Sequence, residues 1–242
     1  MEGDPQNVLR SKNFGGGKPG RTPAEKPIRG YVKLAQAATA FHFDFRGKVV
    51  LDIGSSTGGF TQYALDHGAK KVIAVEKGTN QMMKPLRFDP RIDLHEKTDI
   101  FDMGIQGEPF EGIAERGSAR ISARAPWRRA RATRPEKVLS RIPDVIIADV
   151  SFISLKRILA HVICYLADHH TDFLVMLKPQ FEATPDQLNK GVVKNEKIRR
   201  EIIKDFEQWL KRNNFIIINK RDNSLKGKTG NQERFYWLKQ SK

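Results

Sequence analysis

The chain has 242 residues and a mass of 27.5 kDa, with 39% hydrophobic and 9% aromatic residues, enough for one substantial core and a small appendage. Lys and Arg number 43 against 28 Asp and Glu; the formal charge of +15 favours a polyanionic partner, nucleic acid above all, because cations on phosphate release condensed counterions. No run approaches the roughly 18 to 20 apolar residues of a membrane span, there is no secretory-type apolar stretch at the N-terminus, and the single Cys164 excludes an intramolecular disulfide or a multi-Cys zinc site, so a cytoplasmic protein without membrane or metal is expected.

Residues 1–27 carry Gly15-Gly16-Gly17, scattered Lys and Pro and few apolar side chains, and read as a disordered basic leader to one domain over 28–242. From Tyr31 onward Leu34, Ala37, Ala38 and Phe41 recur at helical spacing and predict a helix that ends before Asp44. Residues 48–54 are a short apolar strand running into a Gly-rich turn, 60–67 form the helix behind it, and Gly68 caps that helix. Strands are predicted at 71–76 and, weakly, at 92–95, with a helix over 80–87 between them. Then come a strand at 143–149, a helix at 155–166 with the stripe Leu155, Leu159, Val162 and Leu166, and a strand at 172–177. A long helix over 196–212 buries Ile198, Ile202, Phe206 and Trp209, and 215–218 and 234–238 close the chain as strands. Strands alternating with helices predict an α/β fold built on a doubly wound sheet.

The stretch 108–140 has no usable period. From Arg116 to Arg141 it holds nine basic residues against one acid, Glu136, and so carries +8 of the +15. Its Ala, Arg, Ser and Pro content suits a disordered or weakly helical insertion. Such charge serves an RNA-binding loop or a solvated insertion equally well.

Asp52-Ile-Gly54-Ser55-Ser56-Thr-Gly58-Gly59-Phe60 lies where the first strand hands over to its helix. Ligands of doubly wound sheets bind outside the carboxyl ends of the strands, where glycine lets backbone approach the ligand. Three residues separate Gly54 from Gly58, which is not the GxGxxG spacing of a pyrophosphate site. This resembles motif I of class I S-adenosyl-L-methionine-dependent methyltransferases, where the turn holds a cofactor without phosphate; a plain strand-to-helix turn is the alternative. Glu76, about 20 residues on, stands where a carboxylate can accept both hydrogen bonds of a ribose diol. Asp99 is placed either to meet an adenine amine or to cap a helix.

Asp149 ends the predicted strand before Val150-Ser-Phe-Ile-Ser154, and Lys178 ends the next before Pro179-Gln-Phe-Glu182, so both side chains should enter one cleft. A lysine directly behind the apolar run Phe173–Leu177 is poorly explained as a solvated charge, and a lysine buried beside other cations gives up its proton more readily, as a general base must.

From about Gly30 to Leu238 the chain resembles the TlyA (hemolysin-like) branch of FtsJ-type RNA ribose 2′-O-methyltransferases. The resemblance rests on Leu51-Asp-Ile-Gly-Ser-Ser-Thr-Gly-Gly-Phe-Thr61, Asp149-Val-Ser-Phe-Ile-Ser-Leu155, Lys178-Pro-Gln-Phe-Glu182 and Gly230-Asn-Gln-Glu-Arg-Phe-Tyr-Trp-Leu238. It implies a Rossmann-like sheet of about seven strands with the last antiparallel, S-adenosyl-L-methionine as cofactor, and a Lys-Asp-Lys-Glu tetrad that falls on Lys33, Asp149, Lys178 and Glu233. Cofactor contacts are expected from Asp52, Gly54, Ser55, Ser56, Gly58, Gly59, Phe60, Glu76, Asp99 and Asp149. The implied partner is RNA, a cytidine of ribosomal RNA or a ribosomal subunit, and not DNA. Family members typically begin with a small RNA-binding domain that the first 30 residues are too few to encode, so the Arg-rich stretch is expected to supply the basic surface. The other readings are a catalytically silent RNA-binding or ribosome-assembly protein and, from the family's hemolysin label, a membrane-active protein, for which the sequence offers no span, signal or amphipathic membrane helix.

Overall fold

A computed structural model describes residues 28–105, 137–227 and 229–241; the leader and nearly all of the Arg-rich stretch lie outside the described residues. In chain order the elements are α1 (Arg29–Phe41), β1 (Val49–Ile53), α2 (Gly59–Asp66), β2 (Lys71–Val75), β3 (Ile92–His95), β4 (Met103–Ile105), β5 (Lys137–Leu139), β6 (Val145–Ala148), α3 (Leu155–Tyr165), β7 (Asp172–Leu177), α4 (Glu196–Arg212), β8 (Phe215–Asp222) and β9 (Arg234–Gln240).

Seven strands form one sheet in the order β3-β2-β1-β6-β7-β9-β8. The first five pair in parallel, whereas β9 lies antiparallel between β7 and β8. The central strands β1 and β6 are buried at every residue, as a parallel sheet covered on both faces requires. Because side chains alternate along a strand, Val50 and Ile147 face one layer and Leu51 and Ile146 the other. The first layer is α1 and α2, packed through Leu34, Ala37, Phe41, Phe60 and Ala64. The second is α3 and α4, packed through Leu155, Leu159, Phe206 and Leu210. The predicted α/β fold class, sheet of about seven strands and antiparallel last strand are therefore those observed.

Three expectations change. The helix over 80–87 does not form: Asn80 takes φ +53 and Pro85, which has no N–H, interrupts the run, leaving only a 3-10 turn at Leu86–Phe88. β4 and β5 pair in parallel as a separate two-stranded sheet, so the last residues of the stretch read as periodless are ordered; three-residue strands are too short to show a period. β8 continues past Ile218 through a bulge between Ile217 and Asn219, and its polar second half is that of an exposed edge strand. Gly68, at φ +88 just behind α2, caps that helix as expected.

Candidate active site

The parallel strands end on one edge of the sheet, and the side chains of the expected tetrad stand there. Asp149 follows β6 and Lys178 follows β7 directly. Glu233 precedes β9, and because β9 runs antiparallel its first residue, Arg234, pairs with the last of β7, Leu177. Lys33 enters from α1 and is buried.

The four meet as an unbroken chain of opposite charges. Lys33 Nζ lies 2.6 Å from Glu233 Oε2 and 4.0 Å from Asp149 Oδ2, and Lys178 Nζ lies 2.6 Å from Asp149 Oδ1. Lys178 also donates to Ser151 Oγ at 2.9 Å. Glu233 is only 2% exposed, so its pairing with Lys33 offsets a large desolvation cost. Beside Lys178 the Phe181 ring lies 6.0 Å from its amine, and Phe152, 92% exposed, stands 5.3 Å from Phe181.

On the other half of the cleft the Gly-rich turn is shaped by close approaches. Gly54 has φ +80, and a Cβ there would lie 3.1 Å from the Asp149 carbonyl oxygen. Gly59 packs on α1, where a Cβ would lie 2.7 Å from the Tyr31 nitrogen. Asp52 is fully buried; Oδ2 accepts the Thr61 hydroxyl at 2.6 Å, while Oδ1 and the neighbouring Ser55 Oγ have no hydrogen-bond partner among the described residues. Burial pushes the Asp52 carboxyl up to about 7, with the charges of Asp149 and Glu76 adding and the Thr61 hydrogen bond opposing.

Glu76 directly follows β2, and its oxygens accept N–H groups of Ser56 (2.9 Å) and Gly78 (2.6 Å). Ser56, at φ +46, donates its hydroxyl to Gln81. The 76–78 backbone runs beside 97–98 through Thr98 N–H to Glu76 O and Lys97 N–H to Gly78 O, which brings Asp99 close. Asp99 Oδ1 caps the 3-10 turn Ile100–Asp102 by accepting the Phe101 N–H, and Oδ2 pairs with Lys77 at 3.2 Å. Phe60 departs from expectation: its ring belongs to the core, stacked on Phe235 at 6.0 Å, because the first turn of α2 aims it at the sheet. Only its backbone is left to the turn.

The FtsJ-like methyltransferase family profile matches residues 28–240, nearly every residue that builds the cleft. The chain belongs to this family. The 16S/23S rRNA (cytidine-2′-O)-methyltransferase TlyA of Mycobacterium tuberculosis is 32% identical over 213 residues, which cover 87% of this chain and 67% of that one. Hemolysin A of Brachyspira hyodysenteriae is 32% identical over 202 residues, 83% of this chain and 71% of that one. Among solved structures, a hemolysin-named protein from Lactococcus lactis superposes with a TM-score of 0.71 at 28% identity, covering 88% of both chains. The chain spans about two thirds of the length of the curated relatives it matches.

Two further residues had no role assigned from sequence: Ser151, beside Lys178, and Asn231, in the loop before Glu233. Ser151, the partner of Lys178, sits inside the Asp149–Leu155 run, where its position two residues behind a reactive carboxylate was the available signal. Asn231 is buried in the 230–238 motif; it accepts the Val193 N–H and donates to Gly191 O and Thr229 Oγ1, tying the 189–193 and 229–231 loops together near Glu233. Among the described residues no helix is long and apolar enough to cross a membrane.

Proposed function

We propose that this chain transfers a methyl group from S-adenosyl-L-methionine to a ribose 2′-hydroxyl of RNA, a cytidine of ribosomal RNA, in the cytoplasm. The observation that carries the reading is the continuous chain Glu233–Lys33–Asp149–Lys178 at the carboxyl edge of the sheet. The names of the TlyA relatives, which act on ribosomal cytidines, support the substrate.

The cofactor fits the residues present. Asp52 Oδ1 and Ser55 Oγ are buried polar atoms without hydrogen-bond partners among the described residues, which is costly unless a ligand or water completes them. Beside Gly54, where no Cβ intrudes, they suit the polar end of an amino acid. Glu76 would take the ribose diol with its remaining acceptor capacity, and Asp99 would turn Oδ2 from the exposed Lys77 to the adenine amine while Oδ1 stays a cap. Gly58 and Gly59 act by shaping the turn. The cofactor supplies an electrophilic methyl carried on a sulfonium.

A ribose hydroxyl is a weak nucleophile, so catalysis depends on position and on removal of its proton. Lys178 is the group placed to take that proton; Asp149 and Ser151 hold its amine on two sides, and the buried Lys33–Glu233 pair fixes Asp149. Phe152 and Phe181 offer the target base an aromatic surface beside the amine, since any base can stack on an exposed ring.

The test is transfer of labelled methyl from S-adenosyl-L-methionine to ribosomal RNA and to intact subunits, with the wild type beside Lys178→Ala. Label on a ribose 2′-oxygen of cytidine, absent with the variant, is the expected result. Label on a base atom, or cofactor binding without transfer to either substrate, overturns the reading.

A further inference from the structure

Two loops carry the groups placed nearest the reacting hydroxyl. The loop behind β6 holds Asp149, Ser151 and Phe152, and the loop behind β7 holds Lys178 and Phe181. One rung between them is the Asp149–Lys178 pair. The other is built by Glu182, a carboxylate with no place in the ion chain.

Glu182 Oε2 accepts the Ser154 hydroxyl at 2.7 Å, and Oε1 accepts the Leu155 N–H at 2.6 Å. Leu155 opens α3, and Ser154, at the N-cap, makes no side-chain cap of its own. A helix normally takes its cap from the N-cap residue. Here the acceptor comes from another loop, 27 residues farther along the chain, and its charge suits the positive end of the helix. Burial pushes the Glu182 carboxyl up from its ordinary value, while the hydrogen bonds from Ser154 and Leu155 pull it down.

Phe152 lies between the rungs. Its φ of +62 is in the left-handed region, which is strained for a residue other than glycine. Its side chain, 92% exposed, has little packing to hold that conformation. Strain of this kind persists where flanking structure over-determines it, and the flanking restraints are the two rungs.

We propose that Glu182 is a positioning residue for methyl transfer: by tying Ser154 and Leu155 to the 178–182 loop, it fixes Phe152 and the Lys178 amine relative to each other. The inference rests on the methyltransferase reading above. It differs from a mere helix cap in predicting a loss of turnover separate from a loss of stability.

The experiment measures single-turnover methyl transfer at saturating cofactor, well below the melting temperature, for wild type, Lys178→Ala, Glu182→Ala and Glu182→Gln. Glu182→Ala is expected to slow transfer by about a hundredfold, the scale of a misplaced catalytic group, with cofactor affinity within about twofold. Glu182→Gln keeps an acceptor for Leu155 and a partner for Ser154, and recovers the rate to within about threefold. A Glu182→Ala protein that melts earlier but transfers at the wild-type rate overturns the proposal. If that variant does not fold, Ser154→Ala decides: a slower rate at unchanged cofactor affinity supports the rung, and an unchanged rate overturns it. A wild type no more active than Lys178→Ala refutes the parent reading and the inference with it, whereas an active wild type matched by Glu182→Ala refutes the inference alone.

Discussion

The proposed reaction side of the cleft and its proposed cofactor side are wired differently. On the reaction side Lys33, Asp149, Lys178 and Glu233 each meet an opposite charge within the protein, so the constellation stands assembled without a ligand. On the cofactor side the groups are nearly all acceptors: among the described residues Asp52 Oδ1 and Ser55 Oγ are buried without hydrogen-bond partners, and Glu76 and Asp99 are satisfied by backbone N–H groups and by Lys77. A pre-organised catalytic group avoids reorganisation during reaction. A binding pocket whose acceptors outnumber its donors is completed by a ligand rich in donors and positive charge, and its affinity therefore depends on the protonation of those acceptors.

The largest expected effect falls on the reaction side alone. Lys178→Ala should lower the transfer rate by about a thousandfold, within the range of lost general-base catalysis, and isothermal titration should find cofactor affinity within about threefold. A comparable loss of cofactor affinity would mean that the two sides are not separable.

Next is the buried pair. Lys33→Met or Glu233→Gln alone strands a buried charge and should cost about 3–5 kcal/mol of unfolding free energy in denaturant titrations. Combining the two removes both charges and should restore much of that stability without restoring activity. Full recovery of activity in the double variant would show that the pair serves folding only.

Phe152→Ala should weaken use of RNA by about tenfold in kcat/KM, the scale of one lost stacking contact. Melting temperature and cofactor affinity should hardly move, since the ring is exposed.

The cofactor side is tested by pH. The folded-state value of about 7 for Asp52 lies above its ordinary 3.8. The stability contributed by the protonated acid is thus complete below about pH 4 and is lost as pH rises through 7. Cofactor affinity runs the opposite way, because the ionised carboxylate attracts a cationic ligand; between pH 6 and pH 8 it should rise by up to about tenfold. Asp52→Asn should flatten both trends. A wild-type affinity independent of pH would take Asp52 out of the cofactor site. The smallest effect belongs to Lys77→Ala: its pair with Asp99 is exposed, so stability should change by less than about 0.5 kcal/mol and cofactor affinity by less than about twofold.

Where burial follows a regular period, the sequence reading and the structure agree closely. The helix over 155–166 is an example: Leu155, Leu159, Val162 and Leu166, the stripe read from the sequence, are all buried, whereas over 196–212 the helix forms but Ile198 and Trp209, expected inside, are half-buried, and Arg199, Ile203 and Leu210 join Ile202 and Phe206 on the buried face. The two disagree where local rules compete. Apolar and polar residues over 80–87 suggest a helix, yet Pro85 and the left-handed Asn80 leave a loop, which lets Gln81 approach Glu76 and Ser56. Phe60 sits in a cofactor motif, yet its turn of helix aims the ring into the core. Asp99 takes one of the two placements left open by the sequence, the cap, with one oxygen.

The sequence by itself determined the alternating elements, the Gly-rich turn behind the first strand and the kinds of residue that stand at strand ends, because these follow from periodicity, backbone sterics and short spacings. Only the tertiary structure decided which charges meet. Lys33 and Glu233 are 200 positions apart in the sequence and 2.6 Å apart in space, because β9 inserts antiparallel beside β7 and turns its first residues toward the edge where the parallel strands end. The Glu182 rung has the same origin: β6 and β7 pair side by side, so the loops that leave them must run together, and no local pattern records which carboxylate will bridge the gap.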